Sequence, residues 1–196
     1  MIKAADVFRV FQPHRGNAIV IRTGTAGRHW LDFSTNPNRD LNMGGALGHT
    51  NSVAFGVALG LPQERVVLFD SEGALLMSLG MLATVAEKRP RNFFHFLMDN
   101  RCYATTGGQP VPNAKNIDFA AMAKAAGYAA TYSFDDLETF SAQLERILGE
   151  QGPVFIAIKV VPEVENLPIG QRRRRPMRTR AESIRDLRQE LGITGA

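Results

Sequence analysis

Cysteine is nearly absent from this chain. Cys102 stands alone among 196 residues, which excludes an internal disulfide and fits a reducing, cytoplasmic setting. No apolar run approaches the roughly 20 residues that a membrane-spanning helix needs. The opening stretch, MIKAADVFRVFQPHRGN, has no apolar core of a secretion signal. There is no internal repeat. Charge of one sign is scarce as well: residues 163–196 hold eight Arg and five Asp or Glu, leaving fifteen basic and fourteen acidic residues before them. The net charge of +4 is therefore mostly a property of the tail. What is present, 44% hydrophobic and 21% charged residues, suits a soluble globular domain. The length allows one α/β domain, over residues 1–162, with an Arg-rich extension over 163–196.

Strands and helices alternate along the first 162 residues. Apolar β-formers mark strands at 18–22, 65–69, 93–98, 128–132 and 154–160, and helical periodicity marks 4–11, 52–61, 74–87, 118–126 and 135–148. Asp118 is placed to cap its helix. Residues 34–51, rich in Asn, Gly, Pro and Thr, read as a functional loop, as does the long stretch 100–117. The pattern predicts a doubly wound α/β fold, with a mostly parallel sheet of about six strands and helices on both faces. Ligands in such folds sit beyond the carboxyl ends of the strands.

Two strand ends carry oxygen ligands. The strand 65–69 runs into Asp70-Ser71-Glu72-Gly73 and a helix, and the strand 93–98 runs into Asp99-Asn100. A carboxylate and a carboxamide on two successive strand tips can share one hard cation, and the helix start between them can hold a phosphate. Taken alone, Glu72 could equally be a helix cap, and Asn100 a turn residue.

Three blocks in order carry a family resemblance. Ser71-Glu72-Gly73 followed after 25 residues by Asp99-Asn100 resembles the Gly-Asp-Gly…Asn-Asn or Asp-Asn signature of thiamine-diphosphate enzymes. Gly45-Ala46-Leu47-Gly48-His49-Thr50 resembles their Gly-Ser-Met-Gly-His-Ala, and Thr106-Gly107-Gly108-Gln109-Pro110 is similar to a block after their metal-binding loop. Over about residues 4–160 the chain is most similar to the sulfopyruvate and phosphonopyruvate decarboxylases. Glu72 stands where the family has Asp, Ser71 where it has Gly, Ala74 where it has Ser, and Arg101 where Gly is frequent.

The resemblance implies the thiamine-diphosphate-binding fold and a set of roles. Glu72 and Asn100 would bind Mg²⁺ through side chains and Cys102 through its carbonyl. Gly73 and Ala74 would offer backbone N–H groups to the diphosphate, with Tyr103 and Ala104 nearby. Leu47 would hold the cofactor bent, Gly45 would accept from its amino group, and Ala46 would line the same loop. Leu47 and His49 would be the residues closest to catalysis, although His49 could instead cap the next helix. The reaction would convert a short anionic 2-oxo acid, sulfopyruvate or phosphonopyruvate, into an aldehyde and CO₂. The family's activating Glu lies in a separate pyrimidine-binding domain for which this chain has no room. The chain therefore resembles a beta subunit that needs a pyrimidine-binding alpha-type partner, in a heterotetramer or larger assembly. Two alternatives stand beside this: a carboligase subunit of the acetolactate-synthase kind, and a cofactor-free scaffold or regulatory subunit.

Outside those blocks, His95 reads as a core histidine with a backbone partner, and Cys102 as a small loop residue rather than a reactive thiol. The run Gln171–Arg180 lacks the interleaved aromatics of a nucleic-acid site and leads into a helix at 181–191, with Ile184, Leu187 and Leu191 on one face. That face is expected to pack against another subunit.

Overall fold

The computed structural model describes residues 1–44, 47–168, 171 and 177–193. The expected residues Gly45 and Ala46, and the arginines 172–175, lie outside the described set.

Five strands begin the sheet and loop region: β1 (Ile19–Arg22), β2 (Asp40–Asn42), β3 (Val66–Ser71), β4 (Phe93–Asp99) and β5 (Cys102–Tyr103). Three follow: β6 (Gln109–Pro110), β7 (Ala130–Phe134) and β8 (Val154–Lys159). Six of them form one sheet in the order β2-β1-β3-β4-β8-β7, every pair parallel, while β5 and β6 make a small antiparallel ladder. The α/β expectation and the strand number both hold.

The helices are α1 (Ala4–Phe11), α2 (Trp30–Phe33), α3 (Thr50–Gly60), α4 (Glu72–Met77), α5 (Met81–Lys88), α6 (Phe119–Ala126), α7 (Leu137–Leu148) and α8 (Arg180–Glu190). Strand side chains alternate between two cores. Val20, Val67, Phe69, Phe96 and Ile156 meet α1, α2 and α7, whereas Ile21, Leu68, Leu97 and Phe155 meet α3, α5 and α6. The central strands are buried on both faces, which explains their unbroken apolar runs. Each fully buried Phe, Leu or Ile contributes roughly 1.5–3 kcal/mol relative to exposure.

Three local expectations are corrected. The single helix over 74–87 is two: α4 ends at Ser78 (φ −138°, ψ 42°), and α5 starts after Gly80. At the break the Ser78 hydroxyl takes a hydrogen bond from Asn51 Nδ2 at 2.7 Å and reaches back to the Ala74 carbonyl at 3.5 Å, a back-bond that favours bending or ending a helix. The stretch 34–51, expected to be loop, contains β2. A buried ion pair between Asp40 and Arg15, at 2.8 Å, fixes that short polar strand. The C-terminal helix forms, but it lies on its own chain: α8 packs on β2 and on the 3-10 turn Pro37–Arg39, with Leu187 buried and Ile184 exposed.

Strand order reverses at β1, which has β2 on one side and β3 on the other. In open parallel sheets that crevice, at the carboxyl ends, is where ligands bind. Thr23 follows β1, and Glu72 follows β3.

Candidate active site

Asp70, at the end of β3, organises the crevice from below. Its Oδ1 accepts from Thr23 Oγ1 at 2.8 Å and from the Ser71 N–H at 2.9 Å. Its Oδ2 lies 3.2 Å from His95 Nε2, and His95 Nδ1 lies 3.3 Å from the Tyr128 hydroxyl. All four side chains of this chain of contacts are buried. A buried carboxylate needs hydrogen-bond partners on its oxygens, and burial raises the Tyr128 pKa above the usual phenol value. His95 is thus a core histidine as expected, but its partners are side chains rather than backbone.

Above Asp70 sit the two expected oxygen ligands. Glu72 is the first residue of α4 and is 0% exposed. Its Oε1 accepts from the Cys102 N–H at 3.0 Å, and Asn100 Oδ1 accepts from the same N–H at 3.0 Å. Among the described residues, the other carboxyl oxygen, Glu72 Oε2, is buried with no hydrogen-bond partner. Burial, aided by nearby Asp99, pushes the Glu72 carboxyl up to about 8, and burial also raises Asp99. An acceptor left unpaired in the interior is costly, so its position calls for a cation or a proton. Among the described residues no three His, Cys, Asp or Glu side chains converge into a cation cage. A cation here would need oxygens from outside the protein, as magnesium bound to a phosphate ester does.

The turn at α4 is tight on one side. A Cβ on Gly73 would lie 2.6 Å from the Tyr103 ring, so Gly73 and Tyr103 are in direct contact. Ser71 has extended backbone (φ −113°, ψ 151°) and needs no glycine there. Its hydroxyl instead accepts from the Ala74 N–H at 3.4 Å, so that donor, expected to face a phosphate, already has a weak partner. Cys102 and Tyr103 are half-buried beside the start of α4, and Ala104, which follows them, is buried.

The loop between β2 and α3 brings Leu47 to the surface at 42% exposure. Gly48 has φ +79°, and a Cβ there would press on Met77 at 2.9 Å, so this loop rests against α4. His49 takes the N-cap position of α3, exposed and with no side-chain capping bond. The capping alternative is therefore not realised. The structure brings together Glu72, Gly73, Ala74, Asn100, Cys102 and Tyr103, with Gly48 of the Leu47 loop alongside through Met77. Sequence reasoning missed Thr23, Asp70 and Asn51. The Asp70 side chain was the available signal, directly before the Ser-Glu-Gly block.

A sequence profile of the family described as "Thiamine pyrophosphate enzyme, C-terminal TPP binding domain" matches residues 22–158, most of the chain. The chain belongs to this family. It is 36% identical to the sulfopyruvate decarboxylase subunit beta of Methanothermobacter thermautotrophicus over 77% of each protein. It is also 36% identical to the phosphonopyruvate decarboxylase of Streptomyces viridochromogenes, over 76% of this chain but 36% of that one. Among solved structures, the benzoylformate decarboxylase of Polynucleobacter necessarius superposes with a TM-score of 0.71 at 18% identity, over 83% of this chain and 34% of that one. The last likeness shows shared architecture. This thiamine-pyrophosphate-binding domain is thus of the sulfopyruvate and phosphonopyruvate decarboxylase kind, and α8 lies beyond the part the profile matches. No described helix is long and apolar enough to cross a membrane.

Proposed function

We propose that this chain is the thiamine-diphosphate- and Mg²⁺-binding subunit of a split 2-oxo acid decarboxylase. Residues 1–162 are the cofactor-binding unit. The observation that carries the reading is the orphaned, fully buried Glu72 Oε2, on a carboxyl group whose other oxygen shares the Cys102 N–H with Asn100 Oδ1. A divalent cation satisfies that oxygen, and its remaining positions suit a diphosphate and water. The residues present therefore fit the group. Glu72 and Asn100 hold the metal, and Cys102 contributes its carbonyl. Gly73 and Ala74 offer their backbone N–H groups to the diphosphate at the start of α4, with Tyr103 packed against Gly73 and Ala104 following it as the wall. Gly45, Ala46 and Leu47 meet the organic part of the cofactor, and His49 faces the substrate anion. When bound, thiamine diphosphate supplies the carbon nucleophile and electron sink for loss of CO₂.

The first relative described above carries the name "subunit beta". That name supports a partner subunit that completes the site with its own activating acid, with the exposed Leu47 on the surface toward it. The substrate is a short 2-oxo acid with an anionic substituent, as the names of the two relatives suggest, and the product is the aldehyde. The compartment is the cytoplasm.

The test is calorimetric titration of thiamine diphosphate into the chain with its partner, with and without Mg²⁺, followed by assay of CO₂ release from sulfopyruvate and phosphonopyruvate. Saturable Mg²⁺-dependent heat and aldehyde formation are expected. No heat and no thermal shift in the full complex overturn the reading, and a ketol product would make the protein a carboligase.

A further inference from the structure

The extension beyond the family-matched residues touches both loops of the candidate site, at two separate places. At its start, the Glu165 N–H donates to the Ala104 carbonyl at 2.9 Å, and Val164 packs on Gly108, where a Cβ would lie 3.0 Å from Cγ2. Glu163 Oε2 meets His29 Nε2 at 2.6 Å. At its end, the extension takes up the polar groups of residues 40–43. The Asp40 carbonyl accepts from Arg178 Nη2 at 3.1 Å, and the Met43 carbonyl accepts from Arg180 Nη2 at 2.9 Å. The Asn42 N–H donates to Ser183 Oγ at 3.2 Å, and Asn42 Nδ2 donates to the Arg178 carbonyl.

These contacts sit where the Leu47 loop leaves β2. Asn42 Oδ1 accepts from the Gly44 N–H at 3.0 Å, and Gly44 has φ +62°, so the direction of departure is set at Asn42. An edge strand exposes its N–H and C=O groups. Here α8 covers them, and it is itself well built: Thr179 and Glu182 form a reciprocal cap, and Asp186 holds Arg178 at 2.8 Å.

We propose that Arg180 and Ser183 are positioning residues: they fix the chain at Asn42, Met43 and Gly44, where the segment that carries Leu47 leaves β2, before the cofactor arrives. The proposal rests on the functional reading above. Ordering a loop in its binding geometry in advance removes that cost from the binding step. The effect therefore falls on the organic part of the cofactor, which the loop meets, and not on the diphosphate, which Glu72, Gly73 and Asn100 meet.

The experiment uses the full chain with its partner. In Arg180→Ala/Ser183→Ala, the amides of Gly44, Leu47, Gly48 and His49 should exchange hydrogen faster, while those of β3 and β4 keep wild-type protection. The Kd for thiamine diphosphate should rise about tenfold, with the Kd for Mg²⁺–pyrophosphate unchanged and kcat at saturation little altered. Arg180→Lys should recover part of the loss. Ser183→Ala alone, which removes one hydroxyl, should show a smaller loop-confined exchange change and covers the case of a poorly folded double variant. Unchanged loop exchange, or an equal loss for pyrophosphate, overturns the proposal. If the wild-type complex binds no thiamine diphosphate, the functional reading fails, and the exchange comparison still decides the positioning role.

Discussion

Glu72 Oε1 and Asn100 Oδ1 accept from one and the same donor, the backbone N–H of Cys102, each at 3.0 Å. Two acceptors on adjacent strand tips are thereby held side by side by the protein's own backbone. Asn100→Ala removes one of them and leaves the Cys102 N–H satisfied by Glu72, so the fold should survive. Mg²⁺-dependent cofactor binding should be lost, by more than the roughly 10–100-fold that an outer partner of a metal ligand costs. Calorimetry beside a circular dichroism melt checks both halves. Wild-type affinity in the variant removes Asn100 from the ligand set.

Glu72 also makes the stability of the metal-free protein depend on pH. Its carboxyl rises from the ordinary 4.5 to about 8, chiefly through burial. The folded state therefore holds a proton that the unfolded state releases. The contribution is fully present below 4.5, is lost as pH climbs toward 8, and changes no further above that. At about 1.4 kcal/mol per pH unit, the loss is bounded at about 5 kcal/mol. Melting temperatures of metal-stripped protein between pH 5 and 8 should fall with pH, and Glu72→Gln should flatten that slope. Asp99 and Asp40, also raised by burial, remain in both proteins and cancel in the comparison. Equal slopes would mean that Glu72 is ionised in the fold.

The convergence of Glu72 and Asn100 was legible in the chain because each follows an apolar strand, and parallel pairing puts such tips together. The central strands were legible for a similar reason: buried on both faces, they are written as unbroken apolar runs. β2 was hidden because Asp40-Leu41-Asn42 has no such run; Arg15 and α8, remote in sequence, make it a strand. The Asp70–His95 contact depends on register, with Leu68 rather than Asp70 opposite His95, and no local pattern encodes that offset. The helix of the tail was readable from Ile184, Leu187 and Leu191, but not its destination. An apolar stripe says that something covers it, and only the Asn42, Met43 and Asp40 contacts say what.

Gly73 is kept small by Tyr103. With a Cβ 2.6 Å from the ring, Gly73→Ala forces Tyr103 aside or shifts the start of α4. A cost of about 1–3 kcal/mol is typical of overpacking, and denaturant unfolding measures it. Removing the ring should remove the clash, so Tyr103→Ala/Gly73→Ala should be less destabilised than the two single changes added together. That non-additivity is the signature of direct contact. Strict additivity would move the strain elsewhere in the turn.

Arg101 stands between Asn100, the proposed metal ligand, and the Cys102 N–H with φ +64°, in the left-handed region where a Cβ crowds the following carbonyl. Such a residue costs roughly 1–2 kcal/mol relative to glycine in the same conformation, against about 0.5–1 kcal/mol for the greater freedom glycine loses on folding. The side chain is exposed, so truncating it forfeits little packing. It does lie near Asp99, where its charge opposes the upward pull of burial, so Arg101→Gly should raise the Asp99 pKa a little further. The two backbone terms favour Arg101→Gly by up to about 1.5 kcal/mol, seen as a higher denaturant midpoint with unchanged m-value. The turn that carries Asn100 would then be held with less strain, and Mg²⁺ affinity should stay level or improve. A destabilised Arg101→Gly variant would mean that the guanidinium's attraction to Asp99 outweighs the backbone cost, and that arginine is kept at this turn for its charge.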